Sequence, residues 1–101
     1  SAAIDPSSSA LLQSVADAAT TCPGTLRIEG HTDSMGSANA NELLGDARAE
    51  AVRAALIARG VPAERLLAEG FGARKPIDDN TTAEGRAHNR RIEIRVVRAS
   101  D

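Results

Sequence analysis

The stretch Gly30-His31-Thr32-Asp33, followed by Asn41-Glu42-Leu43-Leu44-Gly45-Asp46-Ala47-Arg48, determines the predicted fold. It leads from the end of an apolar strand, through a loop of small and polar residues, into a helix. The loop exceeds the roughly 2 to 6 residues that usually connect a strand to a helix. Because long connections of this kind tend to be functional, we expect a site here.

Arg48 lies where an apolar residue would be expected. At about 100° per residue, it falls within the arc of a helix that also holds Leu44, Ala47, Ala51, Val52 and Ala55. A guanidinium among apolar side chains needs a carboxylate partner, because an unpaired buried charge costs several kcal/mol. Asp33 is the nearest candidate. The pair is either a structural ion pair or a ligand site.

The composition excludes several classes of function. The 101 residues suffice for one domain, and a formal net charge of −2 gives no general attraction for nucleic acid or anionic lipid. Phe71 is the only aromatic residue, so surfaces for base stacking are missing. No apolar run approaches the roughly 20 residues of a membrane span. We therefore expect no nucleic acid partner and no direct membrane insertion by this domain.

Periodicity and capping signals predict three helices, one helical turn and three strands. In chain order these are a helix at 6–20 opened by Asp5-Pro6 and closed by Cys22-Pro23-Gly24, a strand at 25–29, a helix at 42–59, a turn at 62–65, a strand at 66–69, a helix opened by the capping-box pattern Thr81-Thr82-Ala83-Glu84, and a strand at 91–97. The first strand, second helix and second strand form a βαβ unit, so these strands should be parallel with a right-handed crossover.

The last strand alternates charged and aliphatic residues, so one side of the sheet there should be solvated. Gly70-Phe71-Gly72 is expected to be a loop whose glycines serve turn geometry, since it lacks the third glycine of a dinucleotide fingerprint. A three-stranded sheet with both edges open is poorly protected. A further strand before Ser1 would complete it, and the abrupt start favours a domain cut from a longer exported chain.

Three other groups of residues have alternative interpretations. Glu29, His31 and Asp33 would share one face of a strand, as in a metal site or a general acid/base group, although a hydrogen-bonded structural histidine is the simpler interpretation. Three interpretations apply to the arginines near the last strand, Arg86, Arg90 and Arg91. They are a phosphate-binding cluster, a salt-bridged surface or a support for Asp33. Cys22 is the only cysteine and therefore cannot form an internal disulfide. We expect Cys22 to be a packing residue and Met35 to be a loop residue.

Over essentially its whole length the sequence resembles the peptidoglycan-associating C-terminal domain of outer membrane protein A. This OmpA-like family includes the peptidoglycan-associated lipoprotein and the flagellar stator protein MotB. The resemblance rests on several motifs in the same order and spacing. They are Ile28-Glu29-Gly30-His31-Thr32-Asp33, Asn41 with Leu44 and Arg48-Ala49, Gly70-Phe71-Gly72 with Pro76, Asn80-Thr81, Gly85-Arg86 and Asn89-Arg90-Arg91-Ile92-Glu93-Ile94.

The resemblance implies a non-catalytic module that holds the cell wall through the diaminopimelate residue of a stem peptide. Asp33 would take the ligand's ammonium and Arg48 its carboxylate, with Thr32, Met35, Asn41 and Leu44 around them. The distal end of diaminopimelate is a zwitterion, so its receptor needs an acceptor and a bidentate donor, for which arginine suits better than lysine. Without ligand, Asp33 and Arg48 can satisfy one another.

Two departures from the family pattern affect these expectations. The family usually has serine before the second helix where this chain has Gly45, and glycine is a tolerable N-cap, so a slightly weaker helix start is expected. The family's first strand, which carries a Phe-Asp segment and helps wall the pocket, is absent from this chain. Because that strand helps to wall the pocket in the family, its absence would change the affinity for the ligand.

The sequence therefore predicts one OmpA-like domain over 1–101, truncated at its N-terminus, with an α+β, two-layer βαβαβ(α)β sandwich and a mixed sheet. Its partner would be peptidoglycan, with no cofactor and no metal, and a homodimer is left open. The domain would be periplasmic, within an outer-membrane or envelope-anchored protein. The alternatives are the anchor of a flagellar-type stator or secretion complex with the same pocket, and a cell-wall hydrolase with His31 as base.

Overall fold

A computed structural model describes residues 9–21 and 24–97. The elements in chain order are α1 (Ser9–Thr21), β1 (Thr25–His31), α2 (Ala38–Ala58), a 3₁₀ turn (Ala63–Arg65), β2 (Leu66–Gly72), α3 (Ala83–Asn89) and β3 (Arg91–Val97). The predicted order of elements is confirmed. The helix opening at Asp5-Pro6 and the Cys22-Pro23 stop lie outside the described residues.

Two predicted strand ends were wrong. β1 continues to His31, two residues beyond the predicted end, and β2 continues to Gly72. The segment Gly70-Phe71-Gly72 is thus the end of β2 and not a loop, although Gly72 has a positive φ of 56° there. These longer strands bring His31 and Phe71 into the sheet, where their rings stack with centroids 5.2 Å apart.

The sheet has the order β2-β1-β3, with β1 in the centre. β1 is parallel to β2, as the βαβ unit predicts, and antiparallel to β3. The helices α1 and α2 cover the face that carries Leu26 and Ile28, and the core there also contains Leu56 and Leu66. This gives the expected α+β arrangement with a mixed sheet. Among the described residues no helix is both long and apolar enough to cross a bilayer.

The second helix begins earlier than predicted. Ser37 is its N-cap and accepts a hydrogen bond from the backbone N–H of Ala40. Gly45 therefore lies inside α2, and the prediction that it weakens the helix start as an N-cap was wrong. The third helix begins one residue later than the capping-box pattern, because Thr82 caps it by accepting from the N–H of Gly85.

The buried face of α2 is also rotated from the predicted arc. Its buried residues follow a helical repeat that contains only Val52 of the predicted set, namely Asn41, Gly45, Ala49, Val52 and Leu56. Arg48 is half-buried at the border of this face, and Ala47 is exposed. A guanidinium at the border keeps access to solvent while its stem packs on apolar neighbours.

Glycine contacts bring α2 close to the sheet. A Cβ atom placed on Gly45 would lie 2.7 Å from the carbonyl oxygen of Gly30, and one placed on Gly30 would lie 2.0 Å from the carbonyl oxygen of Gly45. Both neighbours are backbone atoms, which cannot rotate away as a flexible side chain can. The helix therefore sits at this distance only because both positions lack a side chain.

Replacing Gly45 with alanine tests whether this contact or helix propensity decides stability. In an exposed helix interior the change would stabilise the protein by about 1 kcal/mol. Here the added methyl overpacks the contact with β1, and overpacking costs about 1 to 3 kcal/mol. We therefore expect Gly45→Ala to lower the free energy of unfolding, measured by urea denaturation.

A matched variant in the same helix is Ala47→Gly, at an exposed position. It should lower the free energy of unfolding by about 1 kcal/mol through propensity alone. A Gly45→Ala protein that is more stable than the parent would contradict the close contact.

Candidate functional site

Asp33 lies just beyond the end of β1 and is 7% exposed. Its Oδ1 accepts the backbone N–H of Met35 at 2.9 Å, and its Oδ2 accepts Nη1 of Arg90 at 2.6 Å. The hydrogen bond from Met35 and the guanidinium of Arg90 lower the pKa of Asp33, against the opposing effect of burial. The side chain is therefore a fixed carboxylate at neutral pH.

The expectation that Asp33 and Arg48 neutralise one another was wrong. The partner of Asp33 is Arg90, and Arg48 makes no hydrogen bond or ion pair with any residue in the described parts of the chain. The sequence left Arg90 open between a phosphate-binding cluster, a salt-bridged surface and a support for Asp33, and the ion pair with Asp33 confirms the last of these for Arg90. The strand exit thus holds a neutralised carboxylate, while the half-buried guanidinium of Arg48 remains unpaired.

Arg90 is positioned by its neighbour Asn89, which is fully buried at the end of α3. The Oδ1 of Asn89 accepts the N–H groups of Ile77 and Asp78, and its Nδ2 donates to the carbonyl of Asp78 and to Oδ1 of Asn80. These bonds tie the loop before α3 to its last turn. Asn89 belongs to one of the motifs of the resemblance, but the sequence did not predict this role, because its bonding partners lie in a separate loop.

Met35 connects Asp33 to α2 through its backbone. Its N–H binds Asp33, and its carbonyl accepts Nδ2 of Asn41 at 3.0 Å. The Met35 side chain is exposed, while Asn41 is buried. Asn41, Leu44 and Arg48 lie at i, i+3 and i+7, which is one row along a helix. Three of the predicted ligand residues are therefore aligned, and the first of them is tied to the loop that holds Asp33.

Thr32 has a more internal environment than the sequence suggests. Its side chain is buried, its hydroxyl donates to the carbonyl of Asp33 at 2.9 Å, and its backbone N–H donates to the carbonyl of Gly72. These bonds extend the β1–β2 pairing to the residue before Asp33. Thr32 thereby fixes the direction in which the chain leaves the strand.

The proposed grouping of Glu29, His31 and Asp33 is replaced by a different one. Glu29 and His31 share a strand face with Glu93 of β3, and single ligand atoms from these three lie within 4.8 Å of one another. Asp33 lies past the strand end with Arg90 and does not join them. The charged face of β3 was expected to be solvated, and the Arg95 side chain is 55% exposed there, but Glu29 and His31 on the same face of β1 are each only 1% exposed.

The charges around this cluster disfavour a metal ion. Arg27 and Arg95 pair with Glu29, and Arg91 and Arg95 pair with Glu93. Two carboxylates thus already face three guanidiniums, so a divalent cation would add positive charge to a surplus. Hydrogen bonds from Arg95 and His31 lower the pKa of Glu29 although burial alone would raise it. The arrangement is that of a structural ion network.

His31 is held neutral within that network. Burial and the charge of Arg91 lower its pKa below the usual 6.5, although Glu29 hydrogen-bonds its Nε2 at 3.3 Å. Its Nδ1 is buried and has no hydrogen-bond partner in residues 9–21 and 24–97. The ring stacks on Phe71, whose face also carries Arg74 and Lys75 at 5.1 and 4.7 Å from the centroid. A histidine packed in this way has no open side for a substrate.

The described chain is thus an α+β domain with a charged site where the central strand ends, and it belongs to the OmpA family, whose model matches residues 1–90. Two curated relatives illustrate the match. The probable lipoprotein YiaD of Escherichia coli is 42% identical over 95 residues, which cover 93% of this chain and 43% of that protein. The peptidoglycan-binding protein ArfA of Mycobacterium tuberculosis is 42% identical over 94 residues, covering 92% of this chain and 29% of ArfA.

Solved structures share the fold. The peptidoglycan-associated lipoprotein from Burkholderia pseudomallei superposes with a TM-score of 0.88 and 35% identity, covering 93% of this chain and 80% of that one. The cell wall anchor of the T6SS from Pseudomonas aeruginosa gives 0.86 and 37%, covering 97% and 71%. By contrast, this chain spans less than half of each curated relative named above.

The lowered pKa of His31 predicts a pH dependence of stability. Because the folded state binds a proton less readily than the unfolded state, the contribution of neutral His31 is fully present above pH 6.5. It is lost as the pH falls toward the lower pKa of the folded state. One proton that the unfolded state binds and the folded state does not changes the free energy of unfolding by at most about 1.4 kcal/mol per pH unit.

We expect the free energy of unfolding, measured by urea denaturation, to fall as the pH drops below 6.5. In His31→Gln this fall should be shallower, and the remaining decrease should begin where the unfolded state protonates the carboxylates whose pKa the fold lowers, which are Glu29, Asp33, Asp78, Asp79 and Glu93. If the free energy of unfolding of the two proteins falls with equal slopes just below pH 6.5, His31 is not neutral and buried.

Proposed function

We propose that this domain binds peptidoglycan non-covalently through the diaminopimelate residue of a stem peptide, and so anchors an envelope protein to the cell wall. The observation that carries the proposal is Arg48, a half-buried guanidinium with no partner among the described residues. It lies on one row of α2 with Asn41, which is bonded to the loop that holds Asp33. An unpaired guanidinium on the helix that is bonded to the loop of a fixed carboxylate suits a ligand that carries both charges.

Asp33 would receive the ammonium of the ligand. It is ionised, and two hydrogen bonds hold it in place, so little order is lost when the ligand binds. A carboxylate has about four lone-pair sites, of which Met35 and Arg90 use two. An ammonium can therefore bind Asp33 while Arg90 stays in place.

Arg48 would receive the carboxylate. A planar guanidinium binds a planar carboxylate through two parallel N–H···O bonds, which a lysine cannot provide. Side chains on a helix lean toward its N-terminus, so Arg48 reaches back toward Leu44 and Asn41. The loop with Met35 and Thr32 would close the other side of the ligand.

The relatives support the cell wall as the partner. ArfA is named as a peptidoglycan-binding protein, and two of the matching structures are a peptidoglycan-associated lipoprotein and a cell wall anchor. We therefore place the domain in the periplasm. Its host would be an outer-membrane or other envelope protein, and the match to a secretion-system anchor favours such an assembly as the second candidate.

Asp33→Ala and Arg48→Ala test the two charged contacts. Each change removes one half of the recognition of a zwitterion, and hydrogen bonds to charged groups contribute about 1.5 to 3 kcal/mol. We expect each to weaken diaminopimelate binding by at least about tenfold in a calorimetric titration, and to abolish retention on purified sacculi.

The two variants should differ in stability. Asp33→Ala leaves Arg90 without its partner and should lower the melting temperature, whereas Arg48→Ala breaks no hydrogen bond or ion pair of the described chain and should lower it less. Arg59→Ala is the matched control. Arg59 is the C-cap residue of α2, and among the described residues its side chain bonds only the carbonyl of Ala55 in the same helix. Retention of Arg48→Ala equal to that of Arg59→Ala would refute the site assignment.

Binding without turnover separates this proposal from a cell-wall hydrolase. His31, the candidate base, has one nitrogen bonded to Glu29 and a ring packed on Phe71. We expect sacculi incubated with the protein to release no soluble muropeptides by mass spectrometry, although the protein sediments with them. Release of fragments that depends on His31 would establish the hydrolase instead.

A further inference from the structure

Arg90 has unused hydrogen-bonding capacity beside Asp33. Its side chain is 44% exposed and, within the described residues, makes a single hydrogen bond, from Nη1 to Asp33. A guanidinium has five N–H donors, so four of them remain available. Because the bond to Asp33 holds one end of the guanidinium, these donors stay next to the proposed ammonium site.

Arg86 adds a second positive charge at the same place. It precedes Arg90 by four residues, and the backbone N–H of Arg90 donates to the carbonyl of Arg86. Its Nη1 donates to the carbonyl of Asn80, and no carboxylate among the described residues pairs with it. Its charge is felt at Asp33, where it contributes to the lowered pKa of that carboxyl.

The site therefore holds more positive charge than a diaminopimelate zwitterion can neutralise. Arg48, Arg86 and Arg90 supply three positive charges, and Asp33 supplies one negative charge. Glu93 pairs with Arg91 and Arg95, Glu42 pairs with Arg74, and neither Asp79 nor Glu84 forms a salt bridge with the three arginines of the site among the described residues. A zwitterion adds no net charge, so two positive charges remain. This surplus stands out in a chain whose formal net charge is −2.

We infer that the ligand is a stem peptide in which a residue flanking diaminopimelate carries a free carboxylate, and that Arg90 with Arg86 binds that carboxylate. This inference rests on the proposed function and specifies its ligand class: acidic stem peptides are preferred over amidated ones. An amide has the shape of the acid but no charge, so it cannot neutralise the surplus. Two carboxylates flank diaminopimelate in a tetrapeptide stem, those of D-glutamate and of the terminal D-alanine.

The test compares three synthetic tetrapeptides, L-Ala-γ-D-Glu-meso-diaminopimelate-D-Ala with both carboxylates free, with the glutamate carboxylate amidated, and with the terminal carboxylate amidated. Calorimetric titration should show about a tenfold weaker binding for one of the two amides, as expected for one charge-assisted contact. The amide that binds more weakly identifies the carboxylate that the arginines hold.

Variants assign the preference to these arginines. In Arg90→Gln the ratio between acid and amide should fall close to one, and free diaminopimelate should still bind, although more weakly, because Asp33 and Arg48 remain but Arg90 no longer orders Asp33. Arg86→Gln, which leaves the Asp33 pair intact, should reduce the ratio, and Arg59→Gln should leave it unchanged. Circular dichroism confirms that each variant is folded.

The outcomes separate this inference from the function on which it rests. Equal binding of the acid and both amides by the parent protein would overturn the inference and leave diaminopimelate binding intact. An acid preference that survives in both Arg90→Gln and Arg86→Gln would overturn the assignment to these residues. If neither free diaminopimelate nor any tetrapeptide binds, the proposed function fails and the inference with it.

Discussion

The closeness of α2 to the sheet is the constraint on which the site depends. Gly30 in β1 and Gly45 in α2 meet through their backbones, and Gly70 in β2 lies against Asp46, whose carboxylate accepts its N–H at 2.7 Å. These contacts fix both the height and the rotation of the helix over the strands. Since Asn41 and Arg48 lie on either side of Gly45 along the helix, the same contacts place them relative to the end of β1.

The central strand and the loop that follows it put charge to different uses. On one face Glu29 is compensated by Arg27 and Arg95, and His31 is kept neutral beside it, so the charges are satisfied internally. Two residues beyond His31, the chain leaves the sheet and Asp33 faces a surplus of guanidiniums. The first arrangement leaves no charge for a ligand, whereas in the proposed binding mode the second would be completed by further negative charge.

Local patterns predicted most of the fold because they report local physics. β3 has the alternation of a strand, and the turn at 63–65 follows from proline and the end of a helix. The arc of α2 was misplaced because small residues form its buried face. Counting apolar side chains underrates Gly45 and Ala49, which are buried because the sheet approaches them so closely.

The partner of Asp33 could not be predicted in the same way. Arg90 is 57 residues away along the chain, and it reaches Asp33 because α3 and the loop anchored on Asn89 deliver it there. Arg48 looked like the partner because it is the nearest arginine on a half-apolar surface. Sequence proximity favours such local pairs, although nothing in the periodicity of one helix fixes where a separate helix will end.

Because Asp33 pairs with Arg90 and not with Arg48, the energetics of the proposed ligand binding change. Had Asp33 and Arg48 been paired, a zwitterion would first have to break an ion pair, and its two new contacts would partly replace the old one. With Asp33 held by Arg90, Arg48 is already half-removed from water and unpaired, so a carboxylate gains a contact without breaking one. The ordering of Asp33 by Arg90 and Met35 likewise takes place on folding and not on binding. In the proposed binding mode, the fold would thus prepare both charges for the ligand.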